Sequence, residues 1–251
     1  DETTLACTLY TQPCLYVVES ILVDLLQEKV ELPQLVAGHS LGEYVALYAA
    51  GVFDFESGLR LVKKRAELMD SADGGKMAAL MKFDRTQLTT ALNNTPDVVL
   101  ANDNSEAQVV ISGTPEGVEN VLSQVKAKRK IALNVSGAFH SPLMQDAAEQ
   151  FLTVLESVEF QSAKIPVLSN VEPSPTTDSQ VLKNRLTQQM TSSVRWRETM
   201  LQFSQAGVAE ISEIGPGKVL CGLIKRTCPE IALEVIATLE QLEAKTPALV
   251  S

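Results

Sequence analysis

Leu35-Val36-Ala37-Gly38-His39-Ser40-Leu41-Gly42-Glu43-Tyr44 passes from a short apolar run through a glycine-bounded turn into an amphipathic pattern. Leu35 to Ala37 read as a buried strand. Tyr44, Leu47 and Tyr48 recur at helical spacing, and Gly51 stops that helix. G-x-S-x-G between a strand and a helix marks a strained turn that lifts a serine clear of a sheet. The helix that follows points backbone N–H groups and a positive dipole at Ser40, where an acyl oxygen would gather negative charge. Leu41 N–H is the natural oxyanion donor. Alone, the five-residue pattern is weakly specific, and a tight turn with a chance serine is the bland alternative. The flanking strand and helix favour a nucleophile.

A serine hydroxyl needs a base. The chain holds two histidines, His39 and His140. His39 adjoins Ser40, so its ring should project away from the serine oxygen. His140 follows a predicted strand and precedes Ser141-Pro142, at the sheet end where open α/β folds bind ligands. It is the candidate base. Arg65 lies on a helix among Leu61, Val62, Leu68 and Met69. An arginine there cannot easily reach water and calls for an anion. It either snorkels or pairs internally, or it clamps a substrate carboxylate with both arms. The local pattern leaves these readings level.

Outward from the turn, an opening polar stretch leads to a helix with Thr11 as its cap and Pro13 in its first turn. Asp54 caps a helix that ends before Gly74-Gly75. Residues 77–81, 98–101, 107–112 and 131–135 read as strands, with helices over 84–93 and 115–128. Strand-helix-strand-strand-helix-strand is the order of a ferredoxin-like unit. Strands at 165–169 and 208–214 alternate with helices at 141–158, 181–189 and 196–205. This predicts an α/β fold: a hydrolase-like, mostly parallel sheet with helices on both faces over 1–75 and 136–251, interrupted by a ferredoxin-like α+β subdomain over 76–135. The tail after Leu242 is expected to fray.

The 251 residues are 45% hydrophobic and 21% charged, with a formal net charge of -10. Such a charge argues against nucleic acid as a partner. No apolar run is long enough for a bilayer, and no signal-peptide pattern opens the chain. Cys7, Cys14, Cys221 and Cys228 offer no metal-binding spacing and are expected as free thiols in a reducing cytoplasm.

With these residues in place, the chain resembles malonyl-CoA:acyl carrier protein transacylases and the related acyltransferase domains of polyketide and fatty acid synthases. The likeness runs from Thr11-Gln12-Pro13 nearly to the end. It includes Gly38 to Tyr44, Arg65, Gly137-Ala138-Phe139-His140-Ser141-Pro142-Leu143-Met144, Ser169-Asn170-Val171 and Glu213-Ile214-Gly215-Pro216-Gly217-Lys218-Val219-Leu220. The resemblance implies that Ser40 is acylated, that His140 is the general base and that Arg65 pairs with the malonyl carboxylate. It implies that a backbone carbonyl of Gln189 orients the histidine. His39, Asn102, Asn104 and Asn170 would line the pocket. Phe139 would crowd an α-methyl branch, a discrimination of ~1–3 kcal/mol. Malonyl-CoA and acyl carrier protein would be the partners of a monomer that needs no cofactor and no metal. The family opens with a strand ending in Gly-Gln-Gly, whose glutamine N–H is a second oxyanion donor. No stretch here matches it, so the sheet is expected to lack a central strand. Losing one such donor costs ~2.7–4 kcal/mol.

Two other readings share these residues. A serine esterase or thioesterase would use Ser40 and His140 but give Arg65 no task. A non-catalytic, carrier-binding remnant would need neither. Lys126, Lys128, Arg129 and Lys130, read as the end of a helix, form the densest basic run. Arg195, Arg197, Lys225 and Arg226 form a second. Either could dock an acidic carrier, and the first run is also well explained as a solvated helix end.

Overall fold

Helical and alternating periodicities divide the chain into three kinds of segment. The computed structural model describes residues 1–135 and 137–245. It opens with α1 (Glu2–Leu5) and α2 (Thr8–Gln27). The turn segment gives β1 (Val36–Ala37) and α3 (Gly42–Ala49). Asp54 caps α4 (Phe55–Asp70) by accepting from Ser57 N–H. Next come β2 (Lys76–Phe83), α5 (Arg85–Asn93), β3 (Val98–Ser105), β4 (Gln108–Gly113), α6 (Pro115–Gln124) and β5 (Ala127–Ala132). A short 3-10 turn at Pro142–Met144 leads into α7 (Gln145–Glu156), followed by β6 (Val167–Leu168). The rest is α8 (Ser179–Gln189), α9 (Trp196–Gln205), β7 (Glu210–Ile214), α10 (Val219–Thr227), β8 (Ala232–Ile236) and α11 (Leu239–Glu243).

The α/β character is as expected, but the parallel strands do not form one sheet. β1 pairs with β6 in register Val36↔Val167, and β7 pairs with β8 in register Ile211↔Leu233. Among the described residues, no strand joins the two pairs. A largely apolar groove of about 620 Å³ lies between them, lined by Val23, Val36, Phe203, Ile211 and Leu223. The third sheet is antiparallel in the order β3-β4-β2-β5. Its own core is Leu80, Leu88, Val98, Val109, Ile111 and Val118.

Several boundaries moved for local reasons. α2 starts at Thr8, with Cys7 as its cap, because the Thr11 hydroxyl donates to Leu5 O instead of capping. Pro13 therefore lies inside the helix. α2 is also long and apolar enough to cross a bilayer, although no unbroken apolar run reveals it. Its Tyr16 and Val23 sit in the main core. α6 ends at Gln124, since Val125 turns extended and buries into the small core. The run Lys128-Arg129-Lys130 thus lies on β5, an edge strand paired only with β2. Charged side chains on such an edge deter pairing with other chains. β8 and α11 arise from short apolar segments that local periodicity does not mark. Beyond Lys245 the expected frayed tail lies outside the described residues.

α2 and α4 meet where Gly58 faces Tyr16, whose ring stacks on Phe55 at 5.7 Å. A Cβ at Gly58 would stand 1.9 Å from the Tyr16 hydroxyl oxygen, whereas one at Gly222 in α10 meets nothing within 4 Å. Gly58→Ala is therefore expected to destabilise by ~1–3 kcal/mol through overpacking. Gly222→Ala should be neutral or stabilise by up to ~1 kcal/mol through helix propensity. Thermal melts of the two variants should move in opposite directions or leave Gly222→Ala unmoved; a lower midpoint for Gly222→Ala alone contradicts this packing.

Candidate active site

Ser40 and His140 hold φ angles of +52° and +57°, and Lys82 is the remaining non-glycine residue at positive φ among the described residues. Such backbone costs ~1–3 kcal/mol per residue and persists only where the surroundings over-determine it. At Ser40 they do. Asn170 Oδ1 accepts from Ser40 N–H at 2.7 Å, and Asn170 Nδ2 donates to Gly38 O at 2.6 Å. Gln189 Nε2 donates to Ser40 O at 2.9 Å. Gly38 lets α3 close onto the strand, because a Cβ there would stand 1.9 Å from the Gly42 carbonyl. Asn170, expected to line the pocket, is buried and clamps both sides of the turn from behind.

The turn delivers Ser40 Oγ to 2.8 Å from His140 Nε2. His140 Nδ1 lies 2.9 Å from Gln189 O. A carbonyl can only accept, so Nδ1 carries the proton and the Nε2 lone pair faces the serine. His140 is 4% exposed. Burial first, and the Arg65 charge second, push its pKa down to about 3. The imidazole is neutral at pH 7 and ready to take a proton.

Arg65, on α4, is 1% exposed. Nη1 donates to Gln12 Oε1 at 2.6 Å, and Nη2 to Ser40 Oγ at 2.9 Å and Gln189 Oε1 at 3.2 Å. The guanidinium lies 5.5 Å from the centre of the Tyr44 ring. Among the described residues it forms no ion pair. Its hydrogen-bond acceptors are all neutral, and burial lowers its pKa. A cation so placed gains strongly from any anion that reaches it.

Leu41 N–H donates to no acceptor among the described residues and is free to meet an incoming oxygen. His39 turns away from Ser40: its Nε2 lies 2.7 Å from Asn104 Oδ1, and its ring meets Trp196 edge-on at 5.6 Å. Burial lowers the His39 pKa. Asn104 thus reaches the site through His39. Asn102 is buried and bridges to Val194 through its backbone. Phe139 packs in the main core. The structure therefore brings His140 and Arg65 onto Ser40 Oγ, with Gln189 bonded to all three residues and Asn170 behind them.

Two residues of the site carried no assignment in the sequence. Gln12, buried on α2, takes one arm of Arg65. Glu43, buried on α3, accepts from Gln189 Nε2 and Asn170 N–H. The available signal was a lone polar residue on an otherwise apolar face: Gln12 four before the core Tyr16, and Glu43 leading Tyr44, Val45, Ala46 and Leu47.

This arrangement has relatives. The acyl transferase domain profile matches residues 1–248. A malonyl CoA-acyl carrier protein transacylase from Synechocystis sp. is 59% identical over 244 residues, which cover 97% of this chain and 83% of that protein. The crystal structure of the Synechocystis malonyl-CoA:ACP transacylase superposes with a TM-score of 0.95, over 97% of this chain and 83% of that one. A malonyl-transacylase in complex with a type II PKS acyl-carrier protein is 35% identical, with a TM-score of 0.90, over 98% of this chain and 82% of that one. On this agreement of sequence, fold and site, the chain belongs to the acyl transferase domain family.

Proposed function

We propose that this protein transfers a malonyl group from malonyl-CoA to the phosphopantetheine thiol of acyl carrier protein through a malonyl-Ser40 ester. One observation carries the reading: Ser40 Oγ lies at 2.8 Å from an unprotonated imidazole nitrogen and at 2.9 Å from a buried guanidinium. The first contact makes an acyl-accepting nucleophile. The second sets a cation beside it, suited to an acyl group whose far end is a carboxylate two carbons from the reacting carbonyl.

His140 Nε2 takes the Ser40 proton as Oγ attacks the thioester carbon. The oxyanion meets Leu41 N–H at the head of α3. As the intermediate collapses, the C–S bond breaks, the imidazolium returns its proton to sulfur, and coenzyme A leaves as a thiol. The carrier thiol then gives its proton to His140 and attacks the ester carbon, and Ser40 leaves with that proton. Gln189 O keeps Nδ1 protonated throughout, in the place an acidic third member holds in many serine hydrolases.

Within the same reading, residues 76–135 form a ferredoxin-like subdomain inserted in a hydrolase-like domain. The order β3-β4-β2-β5, antiparallel throughout, supports this. Half of the second basic group is engaged: Arg195 pairs with Glu198, and Arg197 with Asp103 and Glu106, which leaves Lys225 and Arg226 exposed and without an ion pair among the described residues. Lys126, Lys128 and Arg129 are exposed and form no ion pair among the described residues. The first run holds the denser unpaired charge, and we therefore place the acidic carrier at β5. The cytoplasm is the proposed compartment, consistent with four unpaired thiols.

Intact mass after mixing with malonyl-CoA should show one added malonyl group, lost in Ser40→Ala. Arg65→Ala should slow malonyl transfer ~10–150-fold, the scale of a buried hydrogen bond to a charge, and acetyl transfer far less. Equal losses for both acyl groups discredit the clamp. The pH profile is a separate check. A base whose pKa lies near 3 is deprotonated at every pH above that value and fails only as pH falls through it. The kcat/KM for acylation should therefore show no acid limb near the ordinary histidine value of ~6.5; such a limb means that the base is solvated, not buried.

A further inference from the structure

Glu43 is a buried acid that the two-step chemistry does not use. It lies three residues beyond the nucleophile, in the first turn of α3, and is 1% exposed. Burial raises its carboxyl pKa, while Gln189, Asn170, the Ser169 hydroxyl and the Arg65 charge pull it back. A carboxylate at a helix N-terminus gains from the dipole, and that alone explains many such residues. It does not explain why this one is buried, or which groups it touches.

Its Oε2 accepts from Gln189 Nε2 at 2.7 Å and from Asn170 N–H at 3.2 Å. The two residues it holds are the two that hold Ser40. The Gln189 amide is the informative one. A primary amide has one accepting end and one donating end. Glu43 Oε2 and Ser40 O both demand the donating end, which turns Oε1 toward Arg65 Nη2 at 3.2 Å. Flipped, the amide would set an N–H against the guanidinium and leave Oε2 with the Asn170 N–H alone. Glu43 thus reaches Arg65 through one glutamine without pairing with it, and among the described residues no carboxylate occupies the guanidinium. We propose that Glu43 is a positioning residue that fixes the Gln189 amide, and through it holds Arg65 beside Ser40 with its charge open to the substrate carboxylate.

Only one carboxyl oxygen does this. Glu43 Oε1 is buried and holds neither Gln189 nor Asn170. A neutral amide in its place keeps the needed oxygen, so Glu43→Gln should function and Glu43→Ala should not.

The inference rests on the malonyl-transfer reading, and its test is built to separate the two. Single-turnover acylation is measured with malonyl-CoA and with acetyl-CoA. Wild-type labelling by malonyl-CoA reports on the earlier reading. The malonyl-to-acetyl rate ratio, compared across variants, reports on Glu43. Glu43→Ala is expected to lower that ratio ~10-fold or more, on the scale of one lost buried hydrogen bond to a charged partner. Glu43→Gln should restore it to within about threefold of wild type. Should Glu43→Ala fail to fold, Gln189→Met decides: it keeps the backbone carbonyl on His140 but removes the amide, and the ratio should fall as far. A folded Glu43→Ala or Gln189→Met whose ratio matches wild type overturns the proposal, as does a Glu43→Gln as impaired as the alanine variant. A purely structural role would lower both rates together and leave the ratio intact.

Discussion

A guanidinium buried at 1% exposure with only neutral acceptors is the condition on which the site depends. Desolvating a cation costs several kcal/mol, and neutral hydrogen bonds recover only part of that. Proteins usually settle such a charge with a carboxylate. Here the nearby carboxylate, Glu43, stands behind a glutamine. The cation is kept in place by three neutral acceptor atoms and left electrostatically unsatisfied. That unsatisfied charge is what a dicarboxylic half-thioester supplies, and an acetyl group cannot.

The same charge acts on the base. It adds to burial in holding His140 neutral. A neutral imidazole needs no acidic partner, and a backbone carbonyl suffices to fix its tautomer. The Gln189 side chain carries the link from Arg65 to Glu43. One residue at the C-terminus of α8 therefore serves nucleophile, base and clamp at once. Two of the three strained residues, Ser40 and His140, lie where these links converge.

Much of this was legible because the chemistry is local in sequence. The strand-turn-helix around Ser40 follows from an apolar triplet, two glycines and a helical repeat. With two histidines in the chain and one adjacent to the serine, the base was nearly fixed. Arg65 stood out as a charge on an apolar helix face, although that pattern could not choose between an internal pair and a clamp. What escaped was long-range. Gln12 stands out as a lone polar residue on an apolar helix face, but Arg65 lies 53 residues away and Asn170 lies 130 residues from Ser40, so no local pattern names these partners. The basic run at Lys128 to Lys130 read as a helix end because lysine and arginine suit helices; Val125 overrides that by burying in the small core. β8 and α11 were missed for the same reason: their short apolar segments pair with β7 and pack on α2 across the fold. The two-pair layout of the parallel strands could not be read from any strand alone.

The most direct measurement is a crystal structure of the acyl-enzyme trapped after malonyl-CoA, in a variant that cannot release the ester. The account predicts an ester on Ser40 Oγ, its distal carboxylate within hydrogen-bond distance of both Arg65 Nη atoms, and the contact between Arg65 and Ser40 Oγ given up in exchange. A carboxylate directed into solvent, with Arg65 still bound as in the free protein, would contradict it.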